Sequence, residues 1–483
     1  MKEKQTSWSI VCTDSCRGTA NAAGLINKEA GKRMIRYKGV YTLYVLPVIQ
    51  AENEVKGNAF LIGKYSGSAL IRSLVPDCDL SAKDAHLMKV VKNPFDEGAY
   101  IVIITSESDE GLYHAALDFT DRYIYDHPCR RGNLRFPDLV FDEDMEEAEY
   151  ISSPKAATRG IFSWGTPIND YRAYFENMAR MKLNQLILWN DYVPVNAKDI
   201  IACAHKYGIE IIWGYSWGWG TDGSKYLSDI NADTLESIKK NAISYFEENI
   251  LPLDPDGIYF QSFTESQSEY FGNILIADAV TELVNGTSAA LLAKYPDLHI
   301  QFGLHCSSVR KHLDSIAKID RRVEIVWEDF GVFPSHYEPD SVDSDGYAKL
   351  LETTKELIDL RGDAPLGLVF KGFMVLDWTR FVYQSGPYVM GENSPEITSH
   401  DAEMRRLAWR RFSSEWAKYG DYARRLAEYA TEKSGGRINL CMAGTFDGGI
   451  HLPEALCSSF FYDPNVDFAD VLADTLRQEH VLI

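Results

Sequence analysis

The sequence predicts an α/β protein centred on a (β/α)8 TIM-type barrel, with a small α+β domain before it and C-terminal helices after it. Two observations carry this expectation. From Thr158 onward, strand-like and helical runs alternate over roughly the length such a barrel needs. Polar and aromatic residues also stand at the C-terminal end of nearly every strand, and in a barrel those ends share one rim. An open doubly wound sheet is the competing architecture. It is disfavoured because no glycine-rich phosphate loop follows any strand.

Each element follows from its pattern. In residues 1–150 the apolar runs Val40–Ile49 and Ala99–Thr105 read as strands, and Ala59–Ile62 as a weaker one. Apolar residues at helical spacing over Leu112–Tyr123 predict a helix. The acidic stretch Asp142–Glu149 and Pro154 mark a domain boundary. The barrel domain is expected over 155–395, with strands at Arg159–Trp164, Leu183–Trp189, Ile209–Tyr215, Gly257–Phe263, His299–Leu304, Val323–Trp327 and Leu366–Leu376. Helices are expected at Tyr171–Met181, Ala197–Tyr207, Ala232–Asn249, Asn273–Lys294, Ser308–Ile319 and Tyr347–Leu360. The eighth strand has no clear position after Trp378. Residues 396–483 form a C-terminal segment that completes or flanks the barrel, with helices at Asp401–Lys418 and Tyr422–Lys433.

A net charge of −21 argues against nucleic acid or an anionic membrane as partner. No apolar run approaches the roughly 20 residues of a membrane span. The polar start, Met1 to Ser7, predicts no secretory leader and hence a cytoplasmic protein. The 8 cysteines are scattered, which predicts free thiols and no metal site or cofactor. Oligomeric state stays open.

The strand ends present Trp164, then Trp189, Asn190 and Asp191, then Trp213 with Trp217 and Trp219. They continue with Glu265, His305, Trp327, Glu328, Asp329, Asp377 and Trp378. Carboxylates among aromatic rings suit glycosidic bond cleavage. One carboxylic acid protonates the leaving oxygen, and a second carboxylate acts as nucleophile or base. Glu265 is the candidate acid; Glu328, Asp329 and Asp377 are candidates for the second role. The tryptophans, Asn190, Asp191 and His305 are candidate substrate ligands, although a satisfied core histidine fits His305 as well. Core packing would account for one or two of the rings. An exo-acting enzyme on short oligosaccharides fits a cytoplasmic location best.

Thr158-Arg159-Gly160-Ile161-Phe162 resembles the Arg-Gly segment that leads into the first barrel strand of family 20 β-hexosaminidases. Similar segments occur in family 115 α-glucuronidases. The run Ala99–Tyr123 is similar to the strand–turn–helix that precedes these barrels, an arrangement shared by family 67 α-glucuronidases. The resemblance spans about residues 95–330 in outline. It implies that Arg159 binds sugar hydroxyls. Family 20 carries Asp immediately before the catalytic Glu, to hold an acetamido group for intramolecular attack. Thr264 stands there in this chain, so the departure points to a two-carboxylate mechanism. A glucuronidase-like activity would need a basic group for the uronate, and Lys371 and Arg380 are the candidates. The rival reading is a metal-dependent sugar isomerase or epimerase using Glu265, His305, Glu328 and Asp329. A silent carbohydrate-binding protein is the third.

Overall fold

Strands buried on both faces read as near-continuous apolar runs, and the barrel strands have that character. In the computed structural model they are Arg159–Phe162, Gln185–Trp189, Glu210–Gly214, Gly257–Gln261, His299–Leu304, Glu324–Trp327, Leu366–Phe370 and Asn439–Ala443. All pair in parallel, in chain order, and the eighth bonds the first to close the barrel. The structure describes residues 8–31, 35–37, 40–42, 46–50, 55–125, 145–163, 168–189, 192–218, 231–266, 268–305, 308–328, 345–370, 387–443, 449–478 and 480–482.

The eighth strand lies in the segment where the sequence offered no clear position. Two long helices, Pro395–Tyr419 and Asp421–Ser434, precede it, so they lie between the seventh and eighth strands rather than after the barrel. The second ends at Gly435, whose φ of 63° is the left-handed conformation that stops a helix at little cost for glycine. The helix expected over Ser308–Ile319 is reduced to Leu313–Ile316. Helix starts follow local chemistry. Asp170 caps Tyr171–Arg180 by accepting from the amides of Arg172 and Ala173.

The chain divides into two compact units: Met1–Pro154 with Lys206–Gly208 and Arg477–Glu479, and Lys155–His205 with Ile209–Leu476 and His480–Ile483. The first holds a six-stranded sheet. Its order is Val48–Gln50, Trp8–Cys12, Asn58–Lys64, Tyr100–Ser106, His86–Lys92, Ala148–Ser152. The expected strand Val40–Ile49 is split. Val40–Thr42 pairs with Ile35–Tyr37, whereas Val48–Gln50 joins the sheet edge. Alternate residues Val11, Leu61, Ile101 and Ile103 pack toward helix Ala69–Leu74. Phe60 meets Trp8 and Phe119, with ring centroids 5.0 and 4.8 Å away. Among the described residues no helix is long and apolar enough to cross a membrane.

Candidate active site

The fourth strand carries Tyr259 and Gln261 two positions apart, so both point to one face. That face is the barrel interior. Tyr259 lies edge-on to Phe162 from the first strand and Trp189 from the second, with ring centroids at 4.8 and 5.9 Å. Its hydroxyl donates to Glu328 Oε1, and Gln261 Nε2 donates to the same oxygen at 2.6 Å. Burial and the adjacent Glu328 push the Tyr259 phenol well above its ordinary value, so it keeps its proton and remains a donor.

Gly303, on the fifth strand, makes room for this pair. A Cβ there would overlap both the Tyr259 hydroxyl and Glu328 Oε1. Glu328 itself follows the sixth strand directly. Its amide still donates to Leu304 O at 3.1 Å, which continues the barrel pairing by one residue.

His305, just past the fifth strand, completes the cluster. Its Nε2 stands 3.0 Å from Glu328 Oε2 and 3.0 Å from Glu265 Oε1. The two carboxylates differ in exposure: the Glu328 side chain is fully enclosed, whereas that of Glu265 is 32% exposed. Glu265 ends a single 3-10 turn, Phe263–Glu265, which follows the fourth strand and turns the chain out at the rim. Thr264 is buried. Its Oγ1 accepts from the His305 amide at 3.2 Å, and its carbonyl accepts from Ser308 Oγ at 2.8 Å. The residue before Glu265 therefore secures the loop that carries His305.

Of the residues singled out by the sequence, the structure brings together Glu265, His305 and Glu328, with Trp189 half-buried beside Tyr259. It corrects three of the tryptophans. Trp213, Trp217 and Trp327 are fully enclosed, and Trp217 stacks on Phe260 at 3.5 Å, so these rings fill the core and offer no face to a sugar. Arg159 is also corrected. It begins the first strand, at the end of the barrel opposite Glu265. Its guanidinium donates to the carbonyls of Lys182, Ala156 and Ala157 at 2.9, 2.7 and 3.3 Å, which fixes the chain where it enters the barrel. Trp164, Asn190, Asp191, Trp219, Asp329, Lys371, Asp377, Trp378 and Arg380 lie outside the described residues.

Tyr259, Gln261 and Gly303 were not singled out. The available signal was two polar side chains at i and i+2 within an otherwise apolar strand, a spacing that places both in the barrel interior.

A polar layer fills the opposite end of the barrel. Gln301 Nε2 donates to Glu324 Oε2 and to Gln185 Oε1, each at 3.0 Å, and Asn439 Nδ2 donates to Gln185 Oε1 at 2.8 Å. His299 Nε2 reaches Glu324 Oε2 at 2.6 Å. Burial alone would raise the Glu324 carboxyl, but His299, Gln301 and Asn439 outweigh it and hold it below its ordinary value. The same pairing raises His299 against the opposing effect of burial. Among the described residues no group of three or more His, Cys, Asp or Glu is arranged to hold a metal ion.

Neither a protein-family model nor a curated protein matches the chain. Solved structures share its fold. A mutant Streptomyces plicatus β-hexosaminidase in complex with the product GlcNAc matches over 97% of this chain and 90% of its own, with 10% identity and a TM-score of 0.52. A family GH115 4-O-methyl-α-glucuronidase with specificity for decorated arabinogalactans matches over 98% of this chain, with 14% identity and a TM-score of 0.53. This chain spans 58% of that enzyme's length. The protein CpGH84B matches over 98% of this chain and 70% of its own, with 9% identity and a TM-score of 0.55. At these identities the likeness is one of fold. The resemblance to family 20 and family 115 glycoside hydrolases noted from short motifs thus extends over nearly the whole chain as architecture.

Proposed function

We propose that this chain is a glycosidase, exo-acting on short oligosaccharides, with Glu265 as the general acid. One observation carries the reading. At the functional rim of a barrel shared with glycoside hydrolases, Glu265 is a partly exposed carboxyl whose Oε1 lies 3.0 Å from His305 Nε2. We assign its other oxygen, Oε2, to the glycosidic oxygen. In the reaction the proton leaves Glu265 for that oxygen as the bond to the anomeric carbon breaks.

The second carboxylate is Asp329 or Asp377, which follow the sixth and seventh strands in sequence. Glu328 suits that role poorly, since it is fully enclosed and its Oε1 accepts from both Tyr259 and Gln261. The position before Glu265 supports a two-carboxylate mechanism over acetamido assistance. Thr264 has no charge, and its hydroxyl is committed to the backbone of His305.

The test is a panel of aryl α- and β-glycosides, glucuronides and N-acetylglucosaminides among them, given to wild type and Glu265→Gln with and without EDTA. Cleavage that survives EDTA, and falls about 10²–10⁴-fold in the variant on poor leaving groups, is the expected result. Absence of any cleavage, or a variant equal to wild type, overturns the assignment. Loss of activity in EDTA brings forward the metal-dependent isomerase or epimerase reading, because three of its four residues, Glu265, His305 and Glu328, do converge.

A further inference from the structure

Three exposed apolar side chains gather at the rim of the barrel: Tyr192, Val195 and Val389 are 49, 67 and 51% exposed. They come from two distant stretches of chain, the loop after the second barrel strand and the stretch that leads into helix Pro395–Tyr419. Single apolar side chains on a surface are ordinary, whereas a gathered group marks a place where something binds.

The gathering is built by hydrogen bonds. The Val195 amide donates to Tyr388 O at 2.9 Å, which sets Val195 beside Val389. The Tyr388 hydroxyl donates to Tyr192 O at 3.0 Å and brings a second ring to the same loop. Asn196 clasps Met390: its Nδ2 donates to Met390 O at 2.9 Å, and its Oδ1 accepts from Met390 N at 3.0 Å. Met390 is buried by that clasp, while its neighbour Val389 faces solvent. The residues that follow are fastened to the loop after the first strand. Gly391 O accepts from the Tyr171 amide at 3.2 Å, and the Asn393 amide donates to Asn169 O at 3.0 Å. Gly391 has a φ of 68°, and a Cβ there would lie 2.8 Å from the Tyr171 nitrogen, so glycine is what permits this approach.

We infer that Tyr192, Val195 and Val389 form a subsite that takes an alkyl or aryl part of the leaving group. The inference rests on the glycosidase reading and narrows it, because the leaving group then carries a hydrocarbon portion as well as any further sugar. An exo-acting enzyme holds the terminal sugar in its pocket, so whatever reaches out along the rim belongs to the leaving group. The patch is continuous with the acid cluster. Trp189 ends the second strand with its ring centroid 5.9 Å from that of Tyr259, whose hydroxyl donates to Glu328. Tyr192 stands three residues further on, and three residues of chain reach at most about 11 Å. Valine side chains carry no donor or acceptor, so they favour hydrocarbon and offer nothing to sugar hydroxyls. Three side chains also suit a small group better than a protein, whose stable interface takes about 20–30 residues a side.

The test is calorimetric titration of uncleavable octyl and methyl thioglycosides, over the sugars of the glycoside panel, into wild type, Val195→Asp, Val389→Asp and Ile397→Asp. Ile397, 51% exposed on helix Pro395–Tyr419, is the control for surface hydrophobicity at large. The inference expects an octyl thioglycoside to bind wild type about tenfold or more tighter than its methyl counterpart. Each valine variant should bring that ratio to about threefold or less, and Ile397→Asp should keep it. Either valine variant decides should the other fail to fold. Equal affinity for octyl and methyl in wild type, or valine variants that keep the ratio, overturns the inference. So does an equal fall in Ile397→Asp. A dimer that sedimentation shows the valine variants to dissociate gives the patch to a second copy and overturns it too. An octyl preference lost in the valine variants of a protein that cleaves no glycoside upholds the apolar subsite and defeats the glycosidase reading alone.

Discussion

The two ends of the barrel each join a histidine to a buried glutamate, and they do it differently. At the end formed by the strand starts, Glu324 meets His299, Gln301 and Asn439, and Gln301 hands the network on through Gln185 to Glu210. At the rim, Glu328 is as enclosed, but its histidine is shared with a second, partly exposed carboxylate. The first network ties the starts of five strands together. The second gathers two acids and a histidine at the rim. The contrast teaches that burial and pairing alone do not mark a reactive site; the end of the barrel at which the acids gather is what sets the second cluster apart.

The sharpest way to break the comparison is to remove the outer acid. Glu265→Gln should abolish most turnover on poor leaving groups, with a thermal midpoint close to wild type, because no barrel strand depends on it. At the opposite end the balance reverses. Arg159→Ala strands three backbone carbonyls and should lower stability by about 2–4 kcal/mol in urea denaturation, without changing KM for any glycoside that is cleaved. A raised KM at unchanged stability would return Arg159 to the substrate.

Gly303→Ala sharpens the comparison from inside the site. The added methyl overlaps the Tyr259 hydroxyl and Glu328 together, so the variant should lose about 1–3 kcal/mol and turnover as well. Full activity at wild-type stability would mean that the Tyr259–Glu328 contact can be dispensed with.

The smallest effect is in pH dependence. Glu324, held below its ordinary 4.5, adds stability that is present above that value and is lost as pH falls through its lower folded pKa. His299, held above 6.5, adds stability that is fully present below 6.5 and is lost as pH rises through its raised folded pKa. Urea midpoints followed across pH should therefore decline on the alkaline side of 6.5 in wild type, and His299→Gln should remove that part of the decline.

Much of the barrel was legible because its strands are apolar runs bounded by caps and turns, as with Asp170 before the first helix. The eighth strand was not. Asn439–Ala443 reads Asn-Leu-Cys-Met-Ala, which holds no β-branched residue, and two helices rather than one precede it. In the site, Glu265 and His305 were visible because titratable groups at strand ends are conspicuous. Tyr259 and Gln261 were hidden within a strand, where an aromatic ring looks like ordinary core. The error ran the other way for Trp213, Trp217 and Trp327. A large ring at a strand end satisfies a core and a cleft equally, and only its enclosure in the fold, as where Phe260 stacks on Trp217, separates the two.

Closure of the first strand by the last sets the order in which the molecule can assemble. Arg159–Phe162 has its second partner only when Asn439–Ala443 arrives, after the whole barrel and two long helices have been made. Until then Arg159–Phe162 and Leu366–Phe370 each leave one edge unpaired, both in apolar sequence, and such edges invite pairing with another chain. A contact between such distant parts of the chain is slow to form, so the ring joins late and earlier species are the ones prone to aggregate.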